Sequence, residues 1–218
     1  MEVIPGVHWI PRINGNCYLL VDHELTLVDT GLPHHAKKIL AYVTDELHRK
    51  PSDLTTIILT HYHIDHIANA EELRRLTGAK VAAHHDDADY IEGKKPLPRP
   101  KNLLFRLATS FMRVRPFPVD IRLQDASVVA GCTVFHLPGH TPGSIALLAP
   151  QQSVLFCGDI VRSPNGNLQG PSQQFSFDYG KALQSIQRIK TLEFDVLLSG
   201  HGEPVRPQAA TKVRSAFP

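Results

Sequence analysis

The run Thr60-His61-Tyr62-His63-Ile64-Asp65-His66 constrains this chain more than any other stretch. It follows an apolar segment, 54–59, whose Ile57-Ile58-Leu59 core reads as a short buried strand. It precedes an amphipathic segment, 67–76, that reads as a helix with Gly78 at its C-terminal cap. In extended backbone, residues two apart project to the same side, so His61 and His63 bring two imidazole nitrogens to one point. Asp65 and His66 add a carboxylate and a third imidazole at the helix entry. Neutral imidazole and carboxylate are ligands of divalent transition metals. A lone His-x-His arises often by chance. Four nitrogen or oxygen donors between a buried strand and a helix do not, and they demand a fold that gathers further donors around that strand end.

Three later positions fit that demand: His140 in Pro138-Gly139-His140-Thr141-Pro142-Gly143, Asp159 in Cys157-Gly158-Asp159, and His201 in Ser199-Gly200-His201-Gly202. Each follows an apolar strand pattern, and each has a glycine beside it that lets backbone approach a crowded centre. Five histidines and two aspartates are too many donors for one tetrahedral ion but suit two ions sharing a bridging carboxylate. The chain has 13 histidines. The other positions, His8, His23, His34, His35, His48, His84, His85 and His136, are expected in surface or capping roles, with His84 the one to examine for contact with the ligands. Tyr62 is expected to pack.

Elsewhere the pattern is that of an α/β chain. Strands are expected at 7–10, 16–21 and 25–28 as an antiparallel meander, then a helix at 34–49 stopped by Pro51, the strand at 54–59, the helix at 67–76 and a strand at 80–83. The second half repeats that grammar, with strands at 121–123, 132–137, 144–148 and 154–157, a helix at 179–191 and a strand at 194–198. With 218 residues, 42% of them hydrophobic, the chain can bury one ample core and is expected to be a single domain over 1–218. It shows neither a transmembrane run nor a signal-peptide start, which sets the expectation of a soluble cytoplasmic protein. Cys17, Cys132 and Cys157 lie in apolar stretches without CxxC spacing and are expected as core filler.

Charge is uneven. Between 93 and 119 lie Lys94, Lys95, Arg99, Lys101, Arg106, Arg113 and Arg115 without an acid, although the whole chain is only +2. Inside this segment, 102–113 carries Leu103, Leu104, Leu107, Phe111 and Met112 at helical spacing, bounded by prolines. It reads as a basic helical insertion whose apolar stripe covers a substrate, packs on a second copy of the chain as a homodimer, or touches an anionic membrane surface. No stable membrane association is expected. Nor is nucleic-acid binding, since seven positive charges alone would give only salt-sensitive, non-specific attraction.

In their order and intervals, His61, His63, Asp65, His66, His140, Asp159 and His201 resemble the metallo-β-lactamase superfamily, over about 6–204. Asp29 in Val28-Asp29-Thr30-Gly31 resembles that family's early aspartate turn. The resemblance implies a four-layer αββα sandwich with metals at the sheet edge. It implies that His61, His63 and His140 bind one divalent ion, that Asp65, His66 and His201 bind a second, and that Asp159 bridges them. Zinc is the first expectation, with manganese, iron and cobalt open to the same ligands.

Within the family, Asp159 is similar to the bridging aspartate of glyoxalase II and the quorum-quenching lactonases, which β-lactamases sharing the motif generally lack. His63 stands where flavodiiron proteins have a glutamate. Only 17 residues follow His201, which leaves no room for glyoxalase II's C-terminal helical domain and weakens a glutathione thioester as substrate. Arg162 stands where the best-known lactonases carry a tyrosine. The activity implied is hydrolysis of a small ester, lactone or thioester by a metal-bridging hydroxide, with Asp65 ligating through one oxygen and relaying a proton through the other. Asp29 is expected to fix a ligand histidine or its turn. The alternatives are a mononuclear iron enzyme of the persulfide dioxygenase kind, or β-lactam hydrolysis as a secondary activity.

Overall fold

A computed structural model describes residues 1–98 and 114–218 of the chain. The helix expected at 102–113 and most of the basic insertion lie outside the described residues. Among those described, twelve strands form two sheets. The first is seven-stranded, in chain order: β1 (Glu2–Ile4), β2 (Val7–Trp9), β3 (Tyr18–Val21), β4 (Leu25–Val28), β5 (Leu54–Ile58), β6 (Lys80–His84) and β7 (Ile121–Leu123). It is antiparallel through β4 and parallel from β4 to β7. The second runs β12 (Val196–Ser199), β11 (Val154–Gly158), β10 (Ile145–Ala149), β9 (Cys132–His136), β8 (Val128–Val129), with only the β11–β12 pair parallel.

Strand alternation builds the layers. Tyr18, Leu20, Val28, Ile58 and Ala82 of the first sheet share one buried cluster with Val134, Ile145, Leu147, Phe156 and Leu198 of the second. Their sequence neighbours face the other way. Leu19, Leu27, Ile57 and Val81 join a cluster with the helices over the first sheet, and Ala146, Leu155, Cys157 and Leu197 join one with the helices over the second. Two sheets back to back, each with helices on its outer face, are the expected four-layer α/β sandwich. The three cysteines are free and buried, as expected of core filler.

The helices depart from the sequence expectation in instructive places. The segment 34–49 is a helix only at α1 (Ala36–Ala41), which widens into a π-turn over Tyr42–Glu46. The helix expected at 67–76 is two pieces, a single turn α2 (Ile64–Ile67) and α3 (Ala70–Thr77). They part at Asn69, whose amide gives hydrogen bonds to the carbonyls of Thr30 (2.6 Å) and Leu32 (2.8 Å), while its oxygen accepts from the His35 N–H (2.9 Å) at the start of α1. Helix α4 (His85–Ile91) starts at the His84-His85 pair, whose expected capping role His84 fills, while helix α6 (Ala209–Ala216) lies outside the expected elements; α5 (Tyr179–Ile189) carries the crossover from β11 to β12 as read from sequence. No helix among the described residues is long and apolar enough to cross a membrane.

Register then places the functional residues. Val28 pairs with Ile58 in parallel, so Asp29 and the Thr60-His61 turn leave the first sheet side by side. Gly158 pairs with Ser199 in parallel, so Asp159 and His201 leave the second sheet side by side. Two backbone bonds stitch those edges together: Ile145 N–H to Thr60 O (3.0 Å) and Asn16 N–H to Gly200 O (2.8 Å).

Candidate metal centre

All seven residues expected as ligands converge where these strand ends meet. The ligand atoms of His61, His63 and His140 lie within 4.8 Å of one another, as do those of Asp65, His66 and His201. Asp159 stands between the two groups. Its Oδ2 is 3.5 Å from His140 Nε2 and 3.3 Å from His201 Nε2, and its Oδ1 is 3.5 Å from His66 Nε2. The groups share a wall, since the rings of His61 and His66 are 4.0 Å apart.

Hydrogen bonds behind the rings set their tautomers. Asp29 Oδ2 accepts from His66 Nδ1 (2.8 Å) and from the Thr60 hydroxyl (2.7 Å), and its Oδ1 accepts from the Thr60 N–H (2.8 Å). Having given its proton to Asp29, the Thr60 oxygen accepts from His61 Nδ1 at 3.0 Å. His140 Nδ1 faces the Ser176 oxygen at 3.4 Å, and that hydroxyl donates to Ser172 O. In each case the outer nitrogen is the donor, so the inner one, Nε2, is the atom turned to the centre, with a free lone pair on His61 and His140 and with one on His66 once its Nε2 proton has left.

Those inner atoms are the ones left over. Among the described residues, the buried side-chain atoms without a hydrogen-bond partner are Nε2 of His61, His66 and His140, Oδ1 of Asp159, and Glu71 Oε2 away from the site. Buried polar atoms are rarely orphaned in native proteins. Four aimed at one place, all nitrogen or oxygen donors, fit divalent cations. Asp29 therefore has the orienting role expected of it, serving one ring in each group.

The electrostatics separate the groups. Burial, together with neighbouring imidazoles, holds His63 down to about 3 and His140 to about 4, and pushes His61 well below its usual range. These rings are neutral donors at any ordinary pH. On the other side burial is outweighed by carboxylates: Asp29, Asp65 and Asp159 lift His66 to about 9, and Asp159 with Asp65 lifts His201 to about 10. Asp65 is held at about 2 because His66 and His201 overcome its burial.

Shape at the centre is equally demanding. A Cβ on Gly200 would lie 2.2 Å from Asp159 Oδ1 and 2.6 Å from His66 Cε1, so only glycine lets this backbone pass.

Three supporting residues carried no sequence signal. Asp87, fully buried in α4, accepts from the Tyr62 N–H (2.9 Å), the Thr141 hydroxyl (2.7 Å) and the Gly143 N–H (2.6 Å), tying the His61–His63 turn to the His140 loop. Asn16 donates to the carbonyls of Ser199 (2.9 Å) and Gly202 (2.8 Å), bracketing His201. Asn69 does the same for the turn after Asp29. Arg162 is spent on its own hairpin, donating to Gly170 O at 2.9 Å. Tyr62 is buried beside Tyr90, the packing role expected. His84 has a different neighbour from the ligands: its ring stacks on His136 and caps α4.

Comparison with known proteins agrees with this geometry. A family model described as the metallo-beta-lactamase superfamily matches residues 10–201. The probable metallo-hydrolase YflN of Bacillus subtilis is 30% identical over 232 residues, covering 94% of this chain and 86% of its own. A hydroxyacylglutathione hydrolase of Cereibacter sphaeroides is 30% identical over 68% of this chain, and the chain spans only 48% of that protein. The hydroxyacylglutathione hydrolase GloC of Haemophilus influenzae is 26% identical over 93% of this chain and 90% of its own length. Among solved structures, the metallo-beta-lactamase family protein TTHA1429 of Thermus thermophilus superposes with a TM-score of 0.74 at 22% identity, over 99% of this chain and 79% of that one, a likeness of fold.

Proposed function

The chain belongs to the metallo-β-lactamase superfamily and is a metal-dependent hydrolase, and from that premise we propose that it holds two divalent ions and cleaves a small ester, lactone or thioester. In this reading His61, His63 and His140 hold one ion, zinc in the first instance, Asp65, His66 and His201 hold the other, and Asp159 serves both. The observation that carries it is the set of inward-facing, partnerless Nε2 atoms with Asp159 standing within 3.5 Å of both groups. Ions bound there would supply Lewis acidity, yielding a nucleophilic water near neutral pH and neutralising charge on the carbonyl and leaving group.

The side chains themselves set the direction of approach. His66 and His140 are closed off at 0–1% exposure, whereas Asp65 is 27% exposed and His201 40%. Substrate therefore enters over Asp65 and His201. Asp65 Oδ2 lies 3.1 Å from His201 Nε2, the spacing of two atoms that would share one ion, and that ion would fix the carboxylate. Its remaining oxygen accepts the proton of the attacking water and returns it to the departing oxygen or sulfur. The rigid wall behind, from Asp29 through Thr60 to His61 and His66, keeps the donors aligned without reorganisation as charge develops.

Thioesters belong at the head of the substrate panel. The Haemophilus protein named for hydroxyacylglutathione hydrolysis is matched over 93% of this chain and 90% of its own length, which supports that choice. The test combines metal counting on the purified protein with assays of thioesters, lactones and simple esters, for wild type, His63→Ala and Asp159→Ala. Two ions per chain, and hydrolysis that both substitutions abolish, are expected. Full activity in either variant refutes the reading, and a single iron with oxygen uptake on a persulfide replaces it with a dioxygenase.

A further inference from the structure

His201 lacks the backing that three other candidate ligands have. The rings of His61, His66 and His140 each have a hydrogen-bond partner behind them, at Thr60, Asp29 and Ser176. The His201 ring is 40% exposed, and among the described residues its polar contacts are the carboxylates of Asp65 and Asp159 inside the centre. Its place is therefore set by its backbone. That backbone is gripped from the other sheet by one residue, Asn16, in the loop between β2 and β3.

Asn16 takes hold of three carbonyls around His201. Its main-chain N–H donates to Gly200 O (2.8 Å), and its side-chain nitrogen donates to Ser199 O (2.9 Å) and Gly202 O (2.8 Å). The Tyr18 hydroxyl, 3.0 Å from the same nitrogen, adds a second bond to Ser199 O (2.8 Å). The amide can face only one way. Its Oδ1 accepts from the Trp9 indole N–H (3.1 Å), a group that donates and cannot accept, so the two amide protons are turned to the carbonyls. Asn16 is itself buried, at 6% exposure, so this network has no water to replace it.

The preceding residue reaches the other side of the same group. Gly15, with φ +75°, lies so close to the Asp65 backbone that a Cβ on it would fall 1.9 Å from the Asp65 carbonyl oxygen. Two consecutive residues thus touch Asp65 from the first sheet and the His201 turn from the second. We propose that Asn16 is a positioning residue for His201, and that with Gly15 it sets the separation of Asp65 and His66 from His201 and so the affinity for the second ion. This inference rests on the two-ion reading above. Residues that orient ligands from behind are worth about 10–100-fold in metal affinity. The hydrogen bonds behind His61 and His140 do not involve residues 15 or 16, so the effect falls on one ion and spares the other.

The test is a stepwise zinc titration of the full-length metal-free protein against a chelator, for wild type, Asn16→Ala and His201→Ala, with circular dichroism confirming the fold. His201→Ala marks the step that belongs to the second ion. Asn16→Ala is expected to weaken that step by about 10–100-fold and to leave the other unchanged. A general loosening of the fold would weaken both. Two unchanged steps, or two steps weakened alike, overturn the inference while the two-ion reading stands. A single step in wild type overturns both. Should Asn16→Ala fail to fold, Asn16→Ser, which has one proton to give where the amide has two, is expected to weaken the same step, and an unchanged step overturns the inference equally.

Discussion

Replacing Asp87 by alanine tests the support behind the centre. Its carboxylate is the acceptor for the Tyr62 and Gly143 N–H groups and for the Thr141 hydroxyl, all in a fully buried setting. The hydroxyl has a fallback in Ser144 Oγ at 2.8 Å, but the two N–H groups lose their acceptor. At about 1–3 kcal/mol for each stranded donor, the substitution costs about 2–6 kcal/mol. For a chain of this size that lowers the unfolding midpoint by about 5–20 °C.

The pH dependence is a second check on the same residue. Burial pushes the Asp87 pKa up to about 7 against its three donors, so the folded state holds a proton that the unfolded state releases near 4. Stability from this group is therefore greatest at low pH, falls as pH rises through the window from about 4 to about 7, and is flat above it. Between pH 6 and 8 wild type loses about 1 kcal/mol that the alanine variant does not, so the gap between them narrows with rising pH. Thermal unfolding of both proteins at pH 6 and pH 8, with zinc affinity from chelator competition, makes the measurement. A midpoint within 2 °C of wild type at pH 6, or a gap that widens with pH, refutes the reasoning.

Three further outcomes follow from the centre. Asp29→Asn keeps the shape but turns an amide N–H toward donors, and is expected to weaken metal binding by about 10–100-fold with the fold intact; an unchanged affinity in chelator competition would show that Asp29 does not orient His66 and His61. Gly200→Ala drives a methyl into Asp159 and His66 and is expected to lose metal, counted per chain by elemental analysis; full metal content would mean that this backbone can shift freely. Because carboxylates hold protons on His66 and His201 up to about 9 and 10, loading at pH 7.5 is expected to release about two protons, and affinity rises with pH over that range. Calorimetry in buffers of different ionisation enthalpy reads this, and no proton release would contradict it.

The candidate ligands were legible in sequence because their chemistry is local. His61, His63, Asp65 and His66 sit within six positions, and His140, Asp159 and His201 each follow an apolar strand with a glycine beside them. Strand alternation is local too, which is why the two half-patterns foretold two sheets. Helix limits were less legible. The segment 67–76 breaks at Asn69 because its side chain bonds Thr30 and Leu32, more than thirty residues away, and nothing in the helical spacing around it records that.

Asp87 looks like one acid among several in Asp86-Asp87-Ala88-Asp89, the ordinary face of a surface helix. It ties two ligand-bearing turns together because α4 turns it inward onto backbone N–H groups 25 and 56 positions distant. His84 and His136 are 52 positions apart on different sheets, and only the packing of β6 near β9 makes them a stacked pair. By itself the sequence determined which imidazoles and carboxylates are the candidate donors and that strands would present them, since both depend on residue type and short spacing. Tertiary structure decided which carboxylates and amides hold those atoms in place, since their partners are backbone groups of uniform chemistry that only the folded chain brings within reach.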